Sequence, residues 1–514
     1  MRLSSLVNGL PPELAPTSPS ALDSSDPLIR GIEYDSRKIS PGDLFVALSG
    51  SAVDGHAYIQ QALELGAVAV LVEKGAEDLA PYEAVAVKVP DTRRALASVA
   101  TTFFGEPAKD LTMVGITGTN GKTSTSYMAE AILTAAGLET GLIGTVEIRY
   151  GRERIGATNT TPESLDLQRT LRSMATKGIS ATVIEVSSHG LELGRVSGCQ
   201  FRVAAFTNLT QDHLDFHGDM KSYLASKLIL FKDLLDSDSH AVINIDDPYA
   251  HEVTQAAHSA GANILRCSRN PKANAEITLM RSESRLSGTS AEISIRGQQI
   301  DIELPLVGDF NLENLLVACG IGVALGLPVE KIQHGISACP QVPGRMERVP
   351  EPRENMPTVI VDYAHTPDAI AKLLEAVRPL CTGRLITVFG CGGDRDSTKR
   401  PLMAAAVALG TDMAILTSDN PRTEDPQKIL REIESGLGAL AKWGTEDLVE
   451  MDSSYTVIPN RKEAIHSAIR MARAEDTVVL AGKGHEDYQI IGTRKLPFDD
   501  RREAAQALSN RKKK

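Results

Sequence analysis

The chain has 514 residues, of which 42% are hydrophobic and 23% charged, with 54 Lys+Arg against 66 Asp+Glu and a net charge of −12. Domains run to about 100–200 residues, so roughly three are expected. The acidic balance argues against a non-specific nucleic-acid binder, while leaving room for a local basic pocket that takes an anionic substrate. Aromatic residues are only 4%, too few for base stacking on aromatic platforms. Six cysteines at 199, 267, 319, 339, 381 and 391 show no C-x-x-C spacing, so they read as reduced residues in or near a core rather than zinc ligands or a disulfide framework. No run approaches the ~18 apolar residues of a membrane span, and MRLSSLVNGLPPEL lacks a secretory apolar stretch. A cytoplasmic enzyme without membrane insertion is the expectation.

Residues 11–27 are rich in Pro, Ser and Ala and predict a flexible lead-in. Short apolar runs between Ile29 and Val89 (LFVAL, AVAVLV) with a helical stretch between them predict a small α/β unit. The pattern breaks at FFGEPAKD and again around ACPQVPGRMERVPEPRENMP, which puts domain boundaries near 109 and 342 and gives segments 1–109, 110–342 and 343–514. In the second segment LTMVGI reads as a buried strand and STSYMAEAILTAAG as a helix closed by Gly137; TVIEV, VAAF and AVINI are further strands. In the third, TVIVDYAHTPD, RLITVFGCGGDRD, MAILTSDNPR and TVVLAGKGHED each begin as an apolar strand and end in a loop of Gly, His, Asp and Arg. Ligands of open parallel α/β sheets bind beyond the carboxyl ends of the strands, so four such loops predict a binding site at that edge. The closing RKKK reads as a solvated tail.

The sharpest local signal is GITGTNGKTS at 115–124, a strand running into a Gly-rich turn and then a helix. Gly118 and Gly121 let backbone N–H groups curl around an anion, and the helix N-terminus adds favourable dipole charge. Lys122 can neutralise phosphate oxygens and Thr123 can offer a hydroxyl to Mg²⁺. The strict G-x-x-x-x-G-K-[ST] pattern fails because Ile116 stands where its first Gly belongs.

GTNGKTS resembles the phosphate loop of the Mur ligases and their folylpolyglutamate synthetase relatives. Other landmarks of that family follow in order: DSRKISPGDLFVAL (35–48), TNTTPES (158–164), EVSSHGLELGR (185–195), FTNLTQDHLDFHG (206–218), SYLASKLILF (222–231), GDFNLENLLVA (308–318), PGRME (343–347), DYAHTPD (362–368), GCGGDRD (390–396), DNPRTEDP (419–426) and GKGHEDYQ (482–489). The resemblance implies an α/β chain of three domains: an N-terminal domain for a UDP-linked substrate, a P-loop-type central ATPase and a Rossmann-like C-terminal domain. It also implies a cytoplasmic, ATP- and Mg²⁺-dependent amide ligase of peptidoglycan synthesis. The match is best to the branch that joins meso-diaminopimelate to UDP-N-acetylmuramoyl-L-alanyl-D-glutamate.

Position by position, the resemblance assigns ATP contacts to Gly118, Thr119, Asn120, Gly121, Lys122, Thr123, Ser124, Asn314 and Arg345. It assigns the UDP-peptide substrate to Ser36, Asn159, Thr160, Thr161, Ser187 and Arg195, although Leu193 stands where the family often has a polar residue. Taken bare, DSR is a turn with a capping Ser. Thr123, Glu185 and His213 match the family's Mg²⁺ site, Glu185 being the natural oxygen ligand for a hard cation. SYLASKLILF reads as an amphipathic helix on which a lysine is ordinarily solvated; the family instead carbamylates the residue matching Lys227 with CO₂, giving an anionic oxygen pair. Lys122, Lys227, Glu185 and His213 are thus the catalytic candidates. Arg395, Asp419, Asn420, Pro421, Arg422, Gly482 and Glu486 match the diaminopimelate site. Two guanidinium forks suit its carboxylates, and Glu486 and Asp419 suit its ammonium groups. The rival readings are the same ligase with L-lysine, a folylpolyglutamate synthetase-like ligase, and a non-catalytic nucleotide-gated binding protein.

Overall fold

The structure is a computed structural model that describes residues 1–17, 25–50, 53–73, 84–351, 354–442 and 453–511. The chain divides into two compact units, one of Met1–Thr278 with Ser294–Gln298 and Glu313–Gly335, the other of Leu279–Ile293, Gln299–Leu312 and Ile336–Lys514. Both sides of position 109 fall within the first of these units. Charged and polar ties hold the first hundred residues to the segment that follows. Arg172 Nε donates to the Phe104 carbonyl at 2.7 Å, Tyr34 Oη donates to Asp166 at 2.5 Å, and Arg93 pairs with Glu163 at 2.7 Å. Leu165 of the central segment packs into the N-terminal core.

In the first unit, four parallel strands, β1 (Gly31–Glu33), β2 (Asp43–Val46), β3 (Ala69–Val72) and β4 (Val85–Lys88), form the sheet of the N-terminal segment in sequential order. The lead-in is more ordered than its composition predicts. Pro12–Leu14 forms a 3₁₀ turn with Leu14 buried, and the Thr17 amide donates to the Lys88 carbonyl at 2.9 Å. Pro supplies the fixed φ of that turn, and one apolar side chain anchors it. Residues 18–24 of the lead-in and 512–514 of the basic tail lie outside the described residues.

The central sheet holds β5 (Thr112–Thr117), β6 (Thr140–Ile143), β7 (Glu147–Tyr150), β8 (Glu153–Gly156), β9 (Ala181–Glu185), β10 (Val203–Phe206), β11 (His240–Asn244) and β12 (Asn263–Ser268). Their order is β12-β11-β10-β5-β9-β6-β7-β8, parallel except for the hairpin edge β7–β8. Every residue of β9 and β10 is buried. This is why these strands read as unbroken apolar runs: helices cover both faces of a parallel sheet. The chain then forms β13 (Ile277–Arg285), β14 (Gly288–Ile295) and β15 (Gln298–Leu304), and β14 alternates half-buried and buried positions as a one-sided strand does.

The last sheet contains β16 (Glu347–Val349), β17 (Thr358–Asp362), β18 (Leu385–Phe389), β19 (Met413–Leu416), β20 (Ala441–Lys442), β21 (Ser454–Val457) and β22 (Thr477–Ala481), in the order β16-β17-β22-β18-β19-β21-β20. A separate hairpin, β23 (Tyr488–Ile491) and β24 (Arg494–Pro497), follows. The four strands expected to deliver polar loops, β17, β22, β18 and β19, are adjacent and parallel, so their loops do emerge at one edge. All six cysteines are free and five are buried. Among the described residues, no helix is long and apolar enough to cross a membrane.

Beneath β22, Arg461 and Asp500 form a fully buried pair at 2.6 Å, and Arg461 also donates to the Ala481 carbonyl at 3.1 Å. Removing one partner from such a pair leaves an uncompensated charge and costs about 3–5 kcal/mol. Asp500→Ala is expected to destabilise the C-terminal unit by that free energy and so lower its thermal midpoint, whereas Arg461→Met with Asp500→Leu recovers most of the loss, both measured by differential scanning calorimetry.

Candidate functional site

β5 ends at Thr117, and the turn 118–121 leads into the helix Lys122–Ala135. Only glycine fits two of its positions. A Cβ at Gly118 would stand 1.9 Å from Thr207 Oγ1, and one at Gly121, whose φ is +87°, would stand 2.1 Å from Asn314 Oδ1. Two neighbouring segments therefore press directly on the loop, and Asn314 is buried against it. The loop is also held by hydrogen bonds: Thr119 N to the Asn208 carbonyl (2.8 Å), Asn120 N to Asn208 Oδ1 (2.9 Å) and Thr207 Oγ1 to the Asn120 carbonyl (2.6 Å). Lys122 Nζ folds back onto the carbonyls of Gly118 (2.8 Å) and Thr119 (2.9 Å). Ser124 is buried in the first turn of the helix. The result is a cradle of amides at a helix N-terminus with a lysine beside it, which is an anion site.

Glu185, 1% exposed at the end of β9, meets this loop from the side. Its carboxylate accepts from Thr123 Oγ1 (3.0 Å), Thr145 N (3.0 Å) and Thr145 Oγ1 (2.9 Å). Thr145 Oγ1 lies 3.0 Å from Thr160 Oγ1, and Thr161 Oγ1 donates to the Glu185 carbonyl at 2.9 Å. Ser187 N donates to Thr161 Oγ1 at 2.9 Å, and the Ser187 hydroxyl caps the helix Ser188–Glu192 by accepting from Gly190 N. Arg195 donates to the Thr161 carbonyl at 3.1 Å and pairs with Glu163 at 3.2 Å. The structure thus joins Thr123, Glu185, Thr160, Thr161, Ser187 and Arg195 in one network, with Asn159 exposed at its rim. Thr145, which links the two halves, went unnoticed in the sequence because a threonine after a strand carries no motif of its own.

Lys227 is 1% exposed on the helix Met220–Lys232, contrary to the solvated position that its amphipathic pattern suggests. Its Nζ donates to the Gly118 carbonyl at 2.9 Å and sits 4.6 Å from the Tyr223 ring centroid. Burial, reinforced by the nearby Lys122 ammonium, pushes this amine well below the ordinary lysine range. Tyr223 Oη lies 3.0 Å from Thr119 Oγ1, so lysine and loop share a wall. His213 is half-exposed with φ +52°, its ring 6.2 Å from Tyr223 and edge-on to His189 at 4.9 Å. No hydrogen bond joins His213 to Glu185 or Thr123 among the described residues, which include no cluster of three or more His, Cys, Asp or Glu side chains suited to a metal. Ser36 lies elsewhere in the first unit, buried, with its hydroxyl donating to Gln61 at 2.9 Å. The DSR turn is capped by Asp35, which accepts from Arg37 N, and not by Ser36; the aspartate leaves the serine hydroxyl for Gln61.

In the second unit the loops after β17, β18, β19 and β22 converge. Lys483, 0% exposed, reaches Glu486 Oε2 (3.1 Å), Asn420 Oδ1 (3.2 Å) and Asp419 Oδ1 (3.4 Å). Asn420 also donates to Glu486 at 2.9 Å. Arg422, with φ +49°, donates through Nη1 to the Gly393 carbonyl at 2.7 Å. A Cβ at Gly392 would lie 2.9 Å from Arg422 Nη1 and 3.8 Å from Arg395 Cγ, so both arginines approach one glycine, Arg395 from the exposed side. Gly393 leaves room for the Pro421 carbonyl, 1.9 Å from where its Cβ would be, and Gly482 (φ +113°) does the same for Asp419 Oδ2 at 3.0 Å. Arg345 stacks 4.9 Å over the Tyr363 ring, which is flanked by His365 and His485. Burial, aided by Arg345 and Arg501, pushes the His485 imidazole down to about 4.

An ATP-type loop, a buried carboxylate beside it and a separate acid–arginine pocket define a nucleotide-dependent ligase rather than a hydrolase with its own nucleophile. Family comparison agrees: residues 28–104 match the Mur ligase family catalytic domain, 116–322 the Mur ligase middle domain and 344–484 the Mur ligase glutamate ligase domain. The chain belongs to the Mur ligase family of ATP-dependent, amide-forming ligases. A relative from Geobacter metallireducens, UDP-N-acetylmuramoyl-L-alanyl-D-glutamate--2,6-diaminopimelate ligase, is 46% identical over 93% of this chain and 94% of its own. The protein of that name from Trichormus variabilis is 43% identical over 99% and 97%. A solved structure of a ligase with the same name superposes with a TM-score of 0.67 at 33% identity, covering 94% of this chain and 95% of that one. Mycobacterium tuberculosis folylpolyglutamate synthase shares the fold at a TM-score of 0.62 and 20% identity, over 82% of this chain and 96% of its own.

Thr145→Val removes one donor to Glu185 and leaves a buried carboxylate less satisfied. Hydrogen bonds to charged groups contribute about 1.5–3 kcal/mol, so ADP release under kcat/KM conditions is expected to fall about tenfold or more, with Thr145→Ser close to the parent.

Proposed function

We infer that the protein is a cytoplasmic ligase that joins meso-diaminopimelate to UDP-N-acetylmuramoyl-L-alanyl-D-glutamate at the expense of ATP, in peptidoglycan synthesis. The observation that carries the reading is the network of buried Glu185 with half-buried Thr145 and Thr160, which ties the phosphate loop to TNTTPES, the segment that the family resemblance assigns to the UDP-peptide. A carboxylate is a poor electrophile because its leaving group would be oxide. Its oxygen attacks the γ-phosphorus and expels ADP; the substrate amine then attacks the acyl carbon and expels phosphate, losing a proton as the amide forms.

Gly118 to Ser124, with Asn314, hold the nucleotide, a task that the family resemblance also gives to Arg345; Lys122 swings from its loop carbonyls to the terminal phosphates as these anions approach. Thr160, Thr161, Ser187 and Arg195, with Asn159 at the rim, receive the peptide end, and Ser36 the uridine end. Arg395 and Arg422 receive carboxylates of the incoming amino acid, and Asp419, Asn420 and Glu486, with Pro421 and Gly482 shaping the wall, receive an ammonium. The division into 1–109, 110–342 and 343–514 follows these three tasks.

Thr123 and Glu185 bring oxygen donors together, which fits a hard cation, and His213 would add a nitrogen. Thr123, Glu185, His213 and a carbamylated Lys227 would hold Mg²⁺, which would supply charge neutralisation for the approach of two anions. Burial of Lys227 favours that modification, because only the neutral amine attacks CO₂.

Labelled bicarbonate should therefore give a carbamate NMR signal that fades as pH is lowered and the amine protonates; Lys227→Arg should give none. A carbamate signal of equal strength in Lys227→Arg would contradict the assignment. The activity itself is tested by mass spectrometry of products formed from ATP, Mg²⁺, the UDP-dipeptide and a panel of diamino acids. L-lysine lacks the distal carboxylate and leaves a guanidinium without its anion, a loss of about 2–5 kcal/mol, so meso-diaminopimelate is expected to lead by about 30-fold or more in kcat/KM. A preference for lysine would overturn the amino-acid assignment, and absence of any amide product would overturn the function.

A further inference from the structure

Resting on the amino-acid site proposed above, we propose that Lys483 is a positioning residue that sets the charge and shape of that site. Three observations converge on it. Its side chain is completely buried. A lysine is almost never buried this way without partners. Its Nζ takes three acceptors from two separate loops: Asp419 and Asn420 after β19, and Glu486 after β22. The stem also lies near an aromatic wall, with Nζ 5.6 Å from the Tyr488 ring centroid. No other cation is paired directly with Asp419 or Glu486 among the described residues.

The arithmetic of charge gives the residue its role. Asp419, buried, and Glu486, half-buried, bring two negative charges to one place, where they repel one another. Lys483 supplies one positive charge and leaves a net single negative charge, the complement of one substrate ammonium. Geometry points the same way. Lys483 engages Oδ1 of Asp419, while Oδ2 faces the space that Gly482 leaves open. On the opposite side Asn420 uses its amide nitrogen on Glu486 and its oxygen on Lys483 and on the Ile490 amide. The lysine thereby fixes which carboxylate oxygen is spent inside the protein and which is offered outward. Its polar partners are Asp419, Asn420 and Glu486, so its influence reaches the reaction through the acids that it orients.

The prediction separates positioning from bulk stability. In the full-length protein, Lys483→Met is expected to raise the KM for the diamino acid at least about tenfold, while the KM values for ATP and for the UDP-dipeptide stay within about twofold. Lys483→Arg, which keeps the charge, should recover part of the loss. Because a buried acid pair without its cation could unfold the unit, Lys483→Met is also combined with Glu486→Gln, which removes one of the two negative charges. That double variant should melt near the parent temperature yet bind the diamino acid at least about tenfold more weakly than Glu486→Gln alone, because Asp419 has lost the cation that orients it. An unchanged diamino-acid KM in either variant would overturn the inference, and so would a parallel rise in all three KM values. Wild-type protein that forms no amide with any diamino acid would instead overturn the functional reading beneath it.

Discussion

Glu185 closes a strand buried on both faces, where an unpaired carboxylate would be unsupportable. Its oxygens are satisfied by Thr123 from the phosphate loop and by Thr145 from the turn after β6, while Thr161 binds its carbonyl. One charge therefore fixes the relative positions of three chain segments that are distant in sequence. Two of these segments have a separate job in the proposed reaction, the Thr123 loop for the nucleotide and the Thr161 segment for the peptide end, and Thr145 ties them together. The rest of the first unit supplies the rigid parallel sheet that makes such placement reproducible.

The same design recurs in the second unit with opposite sign. There a buried cation, Lys483, draws two acids and an amide together at the carboxyl ends of parallel strands. The fully buried Arg461–Asp500 pair braces the end of β22 from below through the Ala481 carbonyl. Both units thus place charge at the edge of an open sheet, where ligands of this fold class bind. Neither needs an enzyme nucleophile, because ATP supplies the leaving group.

Much of this was legible in the sequence, for physical reasons that can be named. GTNGKTS announces its turn because only glycine tolerates the approach of Thr207 and Asn314. The four strand-plus-polar-loop segments of the last domain read correctly because a strand covered on both faces must be apolar throughout and its loop must not be. What escaped detection depends on tertiary placement. Without the family resemblance that singles out Lys227, SYLASKLILF looks like a surface helix, because a single lysine in an apolar run carries no sign that its tip meets the Gly118 carbonyl. Thr145 and Lys483 matter through partners dozens of residues away. Asp35, not Ser36, caps the DSR turn, since either side chain can cap and only the fold selects one. The prolines of the lead-in suggested flexibility, yet Leu14 finds a core to enter.

The central claim is that a substrate carboxylate oxygen is transferred to phosphorus before the amide forms. It is tested by supplying the UDP-dipeptide with its acceptor carboxylate labelled with heavy oxygen and analysing the phosphate released during turnover. The account predicts that each phosphate released carries one labelled oxygen. Amide product accompanied by unlabelled phosphate would contradict it.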